Sequence, residues 1–247
     1  MSILTSQLKK LDWGIIIPAM LLVCFGFTGI YSTSLAKDNF GNFYKQIIFF
    51  IIGFLIMLAV SFFDYRILRN NSYLILILYG VCLFLLLGLH FFAPEIRGTR
   101  GWYKLGLLSL DPIEPTKIVL VVLLAKYFSM RHVEMYKFRH IIFSGIYVLL
   151  PVLLVFIKPD LGGTMVLLLV WLGILLISGI KIKHFLILSL CFILIAGFCW
   201  QFLLKDYQKQ RITSFLFPYD YLGTSWSQNQ TKISIGSGQI FGQGFAK

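Results

Sequence analysis

The sequence predicts an all-α fold, a polytopic bundle of transmembrane helices. Hydrophobic residues make up 58% of the 247 residues and charged residues 13%, against about 45–50% and 25% in soluble domains. The mean hydropathy is +0.85, and long apolar runs alternate with short basic stretches. A bilayer core about 30 Å thick needs about 20 apolar residues per helix, which is the length of these runs.

Seven segments predict membrane spans. In chain order they are residues 13–34, 46–63, 73–92, 115–130, 141–157, 164–180 and 185–204. The first follows Lys9 and Lys10 as a signal peptide would, but no small-residue cleavage site follows it and more spans come after, which favours a retained helix. The fourth is short and contains Lys117 and Lys126; we include it because it keeps the alternation of loop charge consistent.

Basic loop residues set the predicted orientation. With the N-terminus inside, the inner loops carry nine Lys and Arg residues and the outer loops before residue 185 carry six, a bias in the positive-inside direction. The stretch after Leu204 adds five more on the outer side. We therefore interpret the net charge of +12 as membrane anchoring rather than nucleic-acid binding.

Cysteine and histidine spacing predicts neither a disulfide framework nor a protein-bound metal centre. The cysteines all lie inside apolar runs and the histidines are scattered, without the spacing of metal ligands. The chain also has no Walker, kinase or G-x-S-x-G motif, which argues against ATP-driven or soluble-type hydrolase chemistry.

Two long outer loops are predicted, at residues 93–114 and 205–247. In the first, Arg97, Arg100 and Lys104 around Trp102 suit a phosphate or sugar-phosphate ligand, or they are solvated charges beside an interfacial tryptophan. In the second, the close spacing of Gly236, Gly238 and Gly242 does not match a dinucleotide fingerprint. These glycines indicate a tight turn or a backbone packed close to a neighbour.

Charged residues at span ends are the remaining site candidates, because charge within a membrane is costly. Glu114 and Lys117 are three residues apart and share one helix face. They could line a polar cavity, or they could form a structural ion pair at the outer end of a helix that Pro115 initiates. Asp160 could cap the sixth helix through its carboxylate, or it could be a cation ligand or site carboxylate facing a substrate cavity. These two readings of Asp160 are compatible.

The sequence resembles the SEDS family of bacterial shape, elongation, division and sporulation proteins, and most closely its rod-shape-determining branch. The resemblance rests on four ordered motifs: residues 98–102 (Gly-Thr-Arg-Gly-Trp), 111–118 (Asp-Pro-Ile-Glu-Pro-Thr-Lys-Ile), 158–164 (Lys-Pro-Asp-Leu-Gly-Gly-Thr), and the glycine motif at 230–238 (Gln-Thr-Lys-Ile-Ser-Ile-Gly-Ser-Gly) with 241–245 (Phe-Gly-Gln-Gly-Phe). Together they extend over nearly the whole chain.

This resemblance implies a multi-pass protein of the bacterial cytoplasmic (inner) membrane. The implied activity is that of a peptidoglycan glycosyltransferase, which polymerises glycan strands from lipid II, a disaccharide-pentapeptide on undecaprenyl pyrophosphate. It also implies a class B penicillin-binding protein and the elongation machinery as partners. Charge on the leaving pyrophosphate would be stabilised by Arg100, Lys117 or a divalent cation, Mg²⁺ or Mn²⁺. A lipid II flippase and a non-catalytic scaffold for the penicillin-binding protein are the alternatives.

Three departures from the family pattern bear on the site. Asp111-Pro112-Ile113-Glu114 stands where the family usually has Gln-Pro-Ser-Glu. Many family members have two glycine-flanked basic residues before the tryptophan, whereas here Gly101 separates Arg100 from Trp102. The family has about ten spans, so residues 1–247 resemble a single incomplete SEDS transmembrane domain. The family's catalytic base, an aspartate, would lie beyond Lys247, and we expect the chain alone to be inactive.

Overall fold

The computed structural model describes residues 11–94, 101–105, 108–130, 138–158, 160–204, 206–217 and 226–239, together with Gly242 and Gly244. Helices dominate these residues. In chain order the elements are α1 (Trp13–Ala36), α2 (Gly41–Ser61), α3 (Arg66–Asn70), α4 (Ser72–Phe92), β1 (Tyr103–Leu105), β2 (Leu108–Leu110), α5 (Ile113–Ser129), α6 (Arg139–Ile157), α7 (Leu161–Ile177), α8 (Ile182–Phe202), α9 (Asp206–Leu216) and α10 (Trp226–Gly238).

Short polar side chains mark where several helices begin. The Asp12 carboxylate accepts a hydrogen bond from the Gly14 N–H at 2.9 Å before α1, and the Asn39 side chain accepts one from the Gly41 N–H at 3.0 Å before α2. These bonds satisfy backbone donors that a helix leaves unpaired in its first turn. α2 begins at Gly41, five residues before the predicted span.

All seven predicted spans coincide with helices, which confirms the all-α polytopic membrane fold. Of the described helices, α1, α2, α4, α6 and α8 are long and apolar enough to cross a membrane. Helices α5 and α7 have 17 residues each, at the lower end of the range for a span.

Contacts between Cα atoms divide the chain into two compact units, residues 1–65 with 214–247 and residues 66–213. In the first unit, α1 and α2 form an antiparallel hairpin. Phe27 lies against Phe50 with a ring-centroid distance of 5.5 Å, and Tyr31, one turn later on α1, lies 5.4 Å from Phe43, earlier on α2. The outward faces of this hairpin are apolar and exposed, as expected for helices that contact lipid.

The second unit contains the buried core, which α4, α5, α6 and α7 share. Polar side chains cross between these helices: the Tyr79 hydroxyl donates to the Tyr147 carbonyl at 2.6 Å, and the Trp171 indole donates to the Ser144 hydroxyl at 3.1 Å. The Lys126 ammonium donates to the Arg69 carbonyl. Lys126, which made the fourth predicted span look weak, therefore has a backbone partner.

The two stretches predicted as long outer loops contain regular structure. β1 and β2 pair antiparallel, with Tyr103 opposite Leu110. The Tyr103 hydroxyl also donates to the Leu85 carbonyl at 2.7 Å, which ties the hairpin to α4. The later loop contains α9 and α10, and α9 starts with Asp206, a favourable charge at a helix N-terminus.

The glycine motif was interpreted as a tight turn or as a backbone packed close to a neighbour, and its glycines differ in structure. Gly236 and Gly238 belong to α10, and a Cβ atom on either would meet nothing within 4 Å among the described residues. For this pair, the described residues therefore offer no close neighbour. Gly242 and Gly244 have φ angles of 74° and 105°, which side chains disfavour, so the turn interpretation is confirmed there.

Packing in the core predicts unequal effects for two neighbouring leucines on α4. Leu86 is 1% exposed within the core, whereas Leu87 is 48% exposed. We expect Leu86→Ala to destabilise the fold by about 2 kcal/mol or more, because it leaves a cavity. Leu87→Ala should change stability little. Thermal unfolding in detergent measures both, and equal shifts of the melting temperature would contradict the position of the core.

Candidate functional site

Five charged side chains come together in the second unit, and we call them the charged cluster: Asp111, Glu114, Lys117, Lys158 and Asp160. Asp111 precedes α5, Glu114 and Lys117 lie in its first turns, and Lys158 and Asp160 flank the short turn between α6 and α7. Two helix starts and one helix end therefore supply the whole cluster.

The start of α5 is fixed by local hydrogen bonds. The Asp111 carboxylate accepts from the Ile113 N–H at 3.0 Å. One turn on, the Lys117 ammonium donates to the Glu114 carboxylate at 2.7 Å. Glu114 is 67% exposed and Lys117 27%, so the pair is open to solvent or a ligand. The predicted shared face is present, and the ion pair it allowed has formed.

Asp160 caps α7, as one of its two compatible interpretations predicted. Its carboxylate accepts from the Gly163 N–H at 3.0 Å, and its carbonyl accepts from the Thr164 hydroxyl at 2.7 Å. A Cβ atom on Gly163 would lie 2.8 Å from Asp160 Oδ2 and 3.2 Å from Val155 Cγ1. Glycine at this position is what lets the carboxylate sit against the helix start.

Lys158 is the most unusual member of the charged cluster. It ends α6, where its N–H donates to the Val155 carbonyl at 3.2 Å, and it is only 4% exposed. Its Nζ atom is buried and has no hydrogen-bond partner within the described residues. Buried ammonium groups are normally paired, so this amine is available to an anionic group.

The charges of the cluster influence one another. Burial lowers the pKa of the Lys158 amine to about 8, while the Asp111 and Asp160 carboxylates oppose this shift. Burial raises the pKa of the Asp111 carboxyl; the Ile113 N–H and Lys158 oppose that rise, and Glu114 and Asp160 add to it. Asp111 therefore couples the start of α5 to the turn between α6 and α7.

This arrangement can bind an anion through the Lys158 amine, whose pKa of about 8 leaves it protonated at neutral pH. A lysine ammonium is a compact charge suited to phosphate. The described residues contain no group of three or more His, Cys, Asp or Glu side chains that could hold a metal ion. Mg²⁺ that binds together with phosphate groups commonly needs only one or two carboxylates, so the divalent cation expected from the sequence stays a prediction.

The structure brings Glu114, Lys117 and Asp160 into one cluster, as their place at span ends suggested. Trp102 lies exposed just before β1, and within the described residues no hydrogen bond or ring contact joins it to the cluster. Arg100 lies outside the described residues.

Sequence reasoning missed Lys158 and Asp111 as site residues. Lys158 was counted as an outer loop charge, although it directly follows an apolar helix and stands two residues before Asp160. So short a connection leaves little room for the Lys158 side chain to reach solvent. The short connection was therefore the sequence feature that could have indicated a buried lysine.

Comparison with known proteins supports the motifs. The chain is 29% identical to stage V sporulation protein E of Bacillus subtilis, over 99% of this chain and 68% of that protein. It is 28% identical to the peptidoglycan glycosyltransferase MrdB of Escherichia coli, over 92% of this chain and 62% of that protein. The chain therefore spans about two thirds of the length of these relatives.

Two solved structures have a similar fold. One is a chain in a peptidoglycan synthase complex that coordinates polymerization and crosslinking. It superposes on this chain with a TM-score of 0.73 and 29% sequence identity, and the match covers 91% of this chain and 65% of the solved one. The rod shape determining protein RodA of Thermus thermophilus has a TM-score of 0.61 and 27% identity, over 74% of this chain and 59% of that one.

The family profile described as cell cycle protein, which groups FtsW, RodA and SpoVE, matches residues 12–247. This match confirms the resemblance that the four motifs carry, and with the apolar helices it identifies a multi-pass membrane protein. The chain belongs to the FtsW, RodA and SpoVE family of cell cycle proteins.

Proposed function

We propose that this chain is part of a peptidoglycan glycosyltransferase that polymerises glycan strands from lipid II during cell elongation. The proposal is supported by the relative MrdB, which is named a peptidoglycan glycosyltransferase, and by the likeness to the rod shape determining protein RodA. The reaction would take place at the outer face of the bacterial cytoplasmic membrane, where the predicted orientation puts the charged cluster.

The buried amine of Lys158 is the observation that carries the proposal. Lipid II leaves a diphosphate when its sugar is transferred, and negative charge develops on that group in the transition state. An ammonium that is shielded from water interacts strongly with such charge. Lys158 has no hydrogen-bond partner of its own among the described residues, so binding of a diphosphate would supply one.

The other members of the cluster have supporting roles in this proposal. Asp111 and Asp160 raise the pKa of Lys158 against the effect of burial, which keeps the amine protonated at neutral pH. The pair of Glu114 and Lys117 offers a second ammonium to the diphosphate. The protein's contribution here is to bind, orient and stabilise charge before the reaction begins.

We also propose that the full-length protein works with a class B penicillin-binding protein within the elongation machinery. The similar synthase complex coordinates polymerization with crosslinking, and glycan strands made by a polymerase need a crosslinking partner. A long polymer held at the membrane is most efficiently crosslinked where it emerges, which favours a direct complex.

Synthesis from labelled lipid II tests the proposed activity. We expect the full-length protein, purified with its penicillin-binding protein, to make glycan strands, and Glu114→Ala or Lys117→Ala to reduce the rate on the order of a hundredfold while the complex still forms. Strand synthesis is read on gels, and complex formation by co-purification.

Two results would overturn the enzyme proposal. Wild-type protein that makes no strands, beside an unrelated polymerase that does, would favour a scaffold. Wild-type protein that moves lipid II across reconstituted vesicles without making strands would favour a flippase.

The pH profile tests the role of Lys158. Below about pH 8 the amine is protonated, and above it the positive charge is lost. We expect kcat/KM, which reports the free enzyme, to fall as the pH rises from 7 to 9. In Lys158→Met the residual activity should lack this fall, while the fold is retained because methionine fills a similar volume without a buried charge.

Lys183→Met is the matched control, since Lys183 is an exposed lysine on α8. It should keep the wild-type rate and profile. An unchanged fall of kcat/KM in Lys158→Met would show that another group causes it.

Substitution of Gly163 tests the position of Asp160. Gly163→Ala should force the Asp160 carboxylate away from the start of α7, with a loss of about 1 kcal/mol of stability and a lower rate of strand synthesis. Gly173→Ala, in the same helix, adds a Cβ atom with nothing within 4 Å among the described residues and should retain both. Equal rates and melting temperatures in the two variants would contradict the role of the cap.

A further inference from the structure

A cavity of about 460 Å³ lies between α1 and α2, beside the connection that joins them. It belongs to the first unit and contains no member of the charged cluster. Two lysines line it, Lys37 at the end of α1 and Lys45 in the second turn of α2. The family motifs leave this cavity unexplained, since they begin at residue 98.

The lining residues follow helical spacing on both helices. On α1, Ile30, Ser34 and Lys37 are separated by four and three residues; on α2, Asn42 and Phe49 are separated by seven. Such residues share one face of a helix, so two polar faces meet inside the hairpin. This pattern is unexpected in helices whose other faces are apolar.

The cavity changes from apolar to cationic along its length. Because the hairpin is antiparallel, Ile30 and Phe49 lie at the level nearer the middle of the helices. Lys37 and Asn42 lie at the level of the connection, and Lys45 lies about one turn further along α2, close to the level of Ile30. An amphiphile with one charged end has the same distribution of polarity.

The charged end of the cavity is positive. Its described lining contains two lysines and no acidic side chain, and neither lysine has an ion pair among the described residues. Asp38 lies in the connection but does not line the cavity. The amide groups of Asn42 and Gln46 add hydrogen-bond donors.

Aromatic side chains indicate the depth of the cavity in the membrane. Tyr31 lies 6.0 Å from Phe40, and Phe43 lies 6.3 Å from Tyr44, as ring-centroid distances. Aromatic residues at span ends are typical of the headgroup level. Lys37 lies at this end of the hairpin and Lys45 about one turn deeper, within reach of the same level for a long side chain, so both ammonium groups would meet lipid headgroups.

We propose that this cavity binds the phosphate ester of an anionic lipid, with its hydrocarbon chain against Ile30 and Phe49. Lysine ammonium groups suit phosphate as point charges, and each lysine near a bilayer surface strengthens binding of an anionic lipid about fivefold. The proposal does not depend on the glycosyltransferase activity.

Native mass spectrometry of the detergent-purified chain tests the proposal. Phosphatidylglycerol and phosphatidylcholine are added at equal concentration, since both carry phosphate but only the first has net negative charge. We expect the wild-type chain to retain phosphatidylglycerol preferentially. Lys37→Ala with Lys45→Ala should weaken this binding about 25-fold, and arginine at both positions should restore it.

Lys183→Ala serves as the control, because it removes an exposed lysine from another helix and should bind as wild type does. Circular dichroism checks that helix content is unchanged. Equal retention of the two lipids, an unaffected double alanine variant, or an equal loss in Lys183→Ala would overturn the proposal. Displacement of phosphatidylglycerol by inorganic phosphate at the same concentration would also overturn it, since phosphate has no chain to fill the apolar end.

Discussion

The hydrocarbon core of a bilayer offers no hydrogen-bonding partner, and this constraint governs how α4, α5, α6 and α7 are joined. Tyr79 reaches the Tyr147 carbonyl, Trp171 reaches Ser144, and Tyr127 lies 3.1 Å from His140 Nδ1. Because apolar burial gives little drive for association between helices in lipid, these bonds and close packing hold the helices together.

The charged cluster depends on this framework. Lys158 and Asp160 flank one turn between two helices, and the Val155 carbonyl accepts from the N–H groups of both residues. Val155 itself is fully buried, so the turn is attached to the core. The Lys158 amine is one of the few buried side-chain groups that lack a hydrogen-bond partner among the described residues, and it lies just outside a helix rather than within the membrane-spanning part. Placing an unpaired cation there costs folding free energy, a cost that an anionic ligand would offset.

Sequence alone predicted the spans because their length is imposed by the bilayer, and it predicted the shared face of Glu114 and Lys117 because helical spacing is regular. It could not show how Lys126 is accommodated, since its partner is the backbone of Arg69, far away in sequence. It missed the β-hairpin because each strand has only three residues and depends on docking through Tyr103.

Burial explains why Lys158 escaped prediction. Counting loop charges treats every lysine as solvated, and only tertiary packing shows which one is enclosed. Asp111 escaped for a related reason: alone before α5 it resembles an ordinary helix-start residue, and its coupling to Lys158 requires the turn between α6 and α7 to be in place.

The two cationic features of the molecule differ in kind, and the difference follows from solvent access. Lys158 is buried and interacts with the Asp111 and Asp160 carboxylates. Lys37 and Lys45 are exposed and have no acidic neighbour in the described lining of their cavity. Dissolved salt screens exposed charges over about 8 Å at physiological ionic strength, and buried charges much less. An exposed pair is therefore suited to weak, exchangeable attraction of abundant lipids. A single desolvated amine on a rigid turn is suited to a transition state, because its interaction is strong only when charge develops at one fixed point.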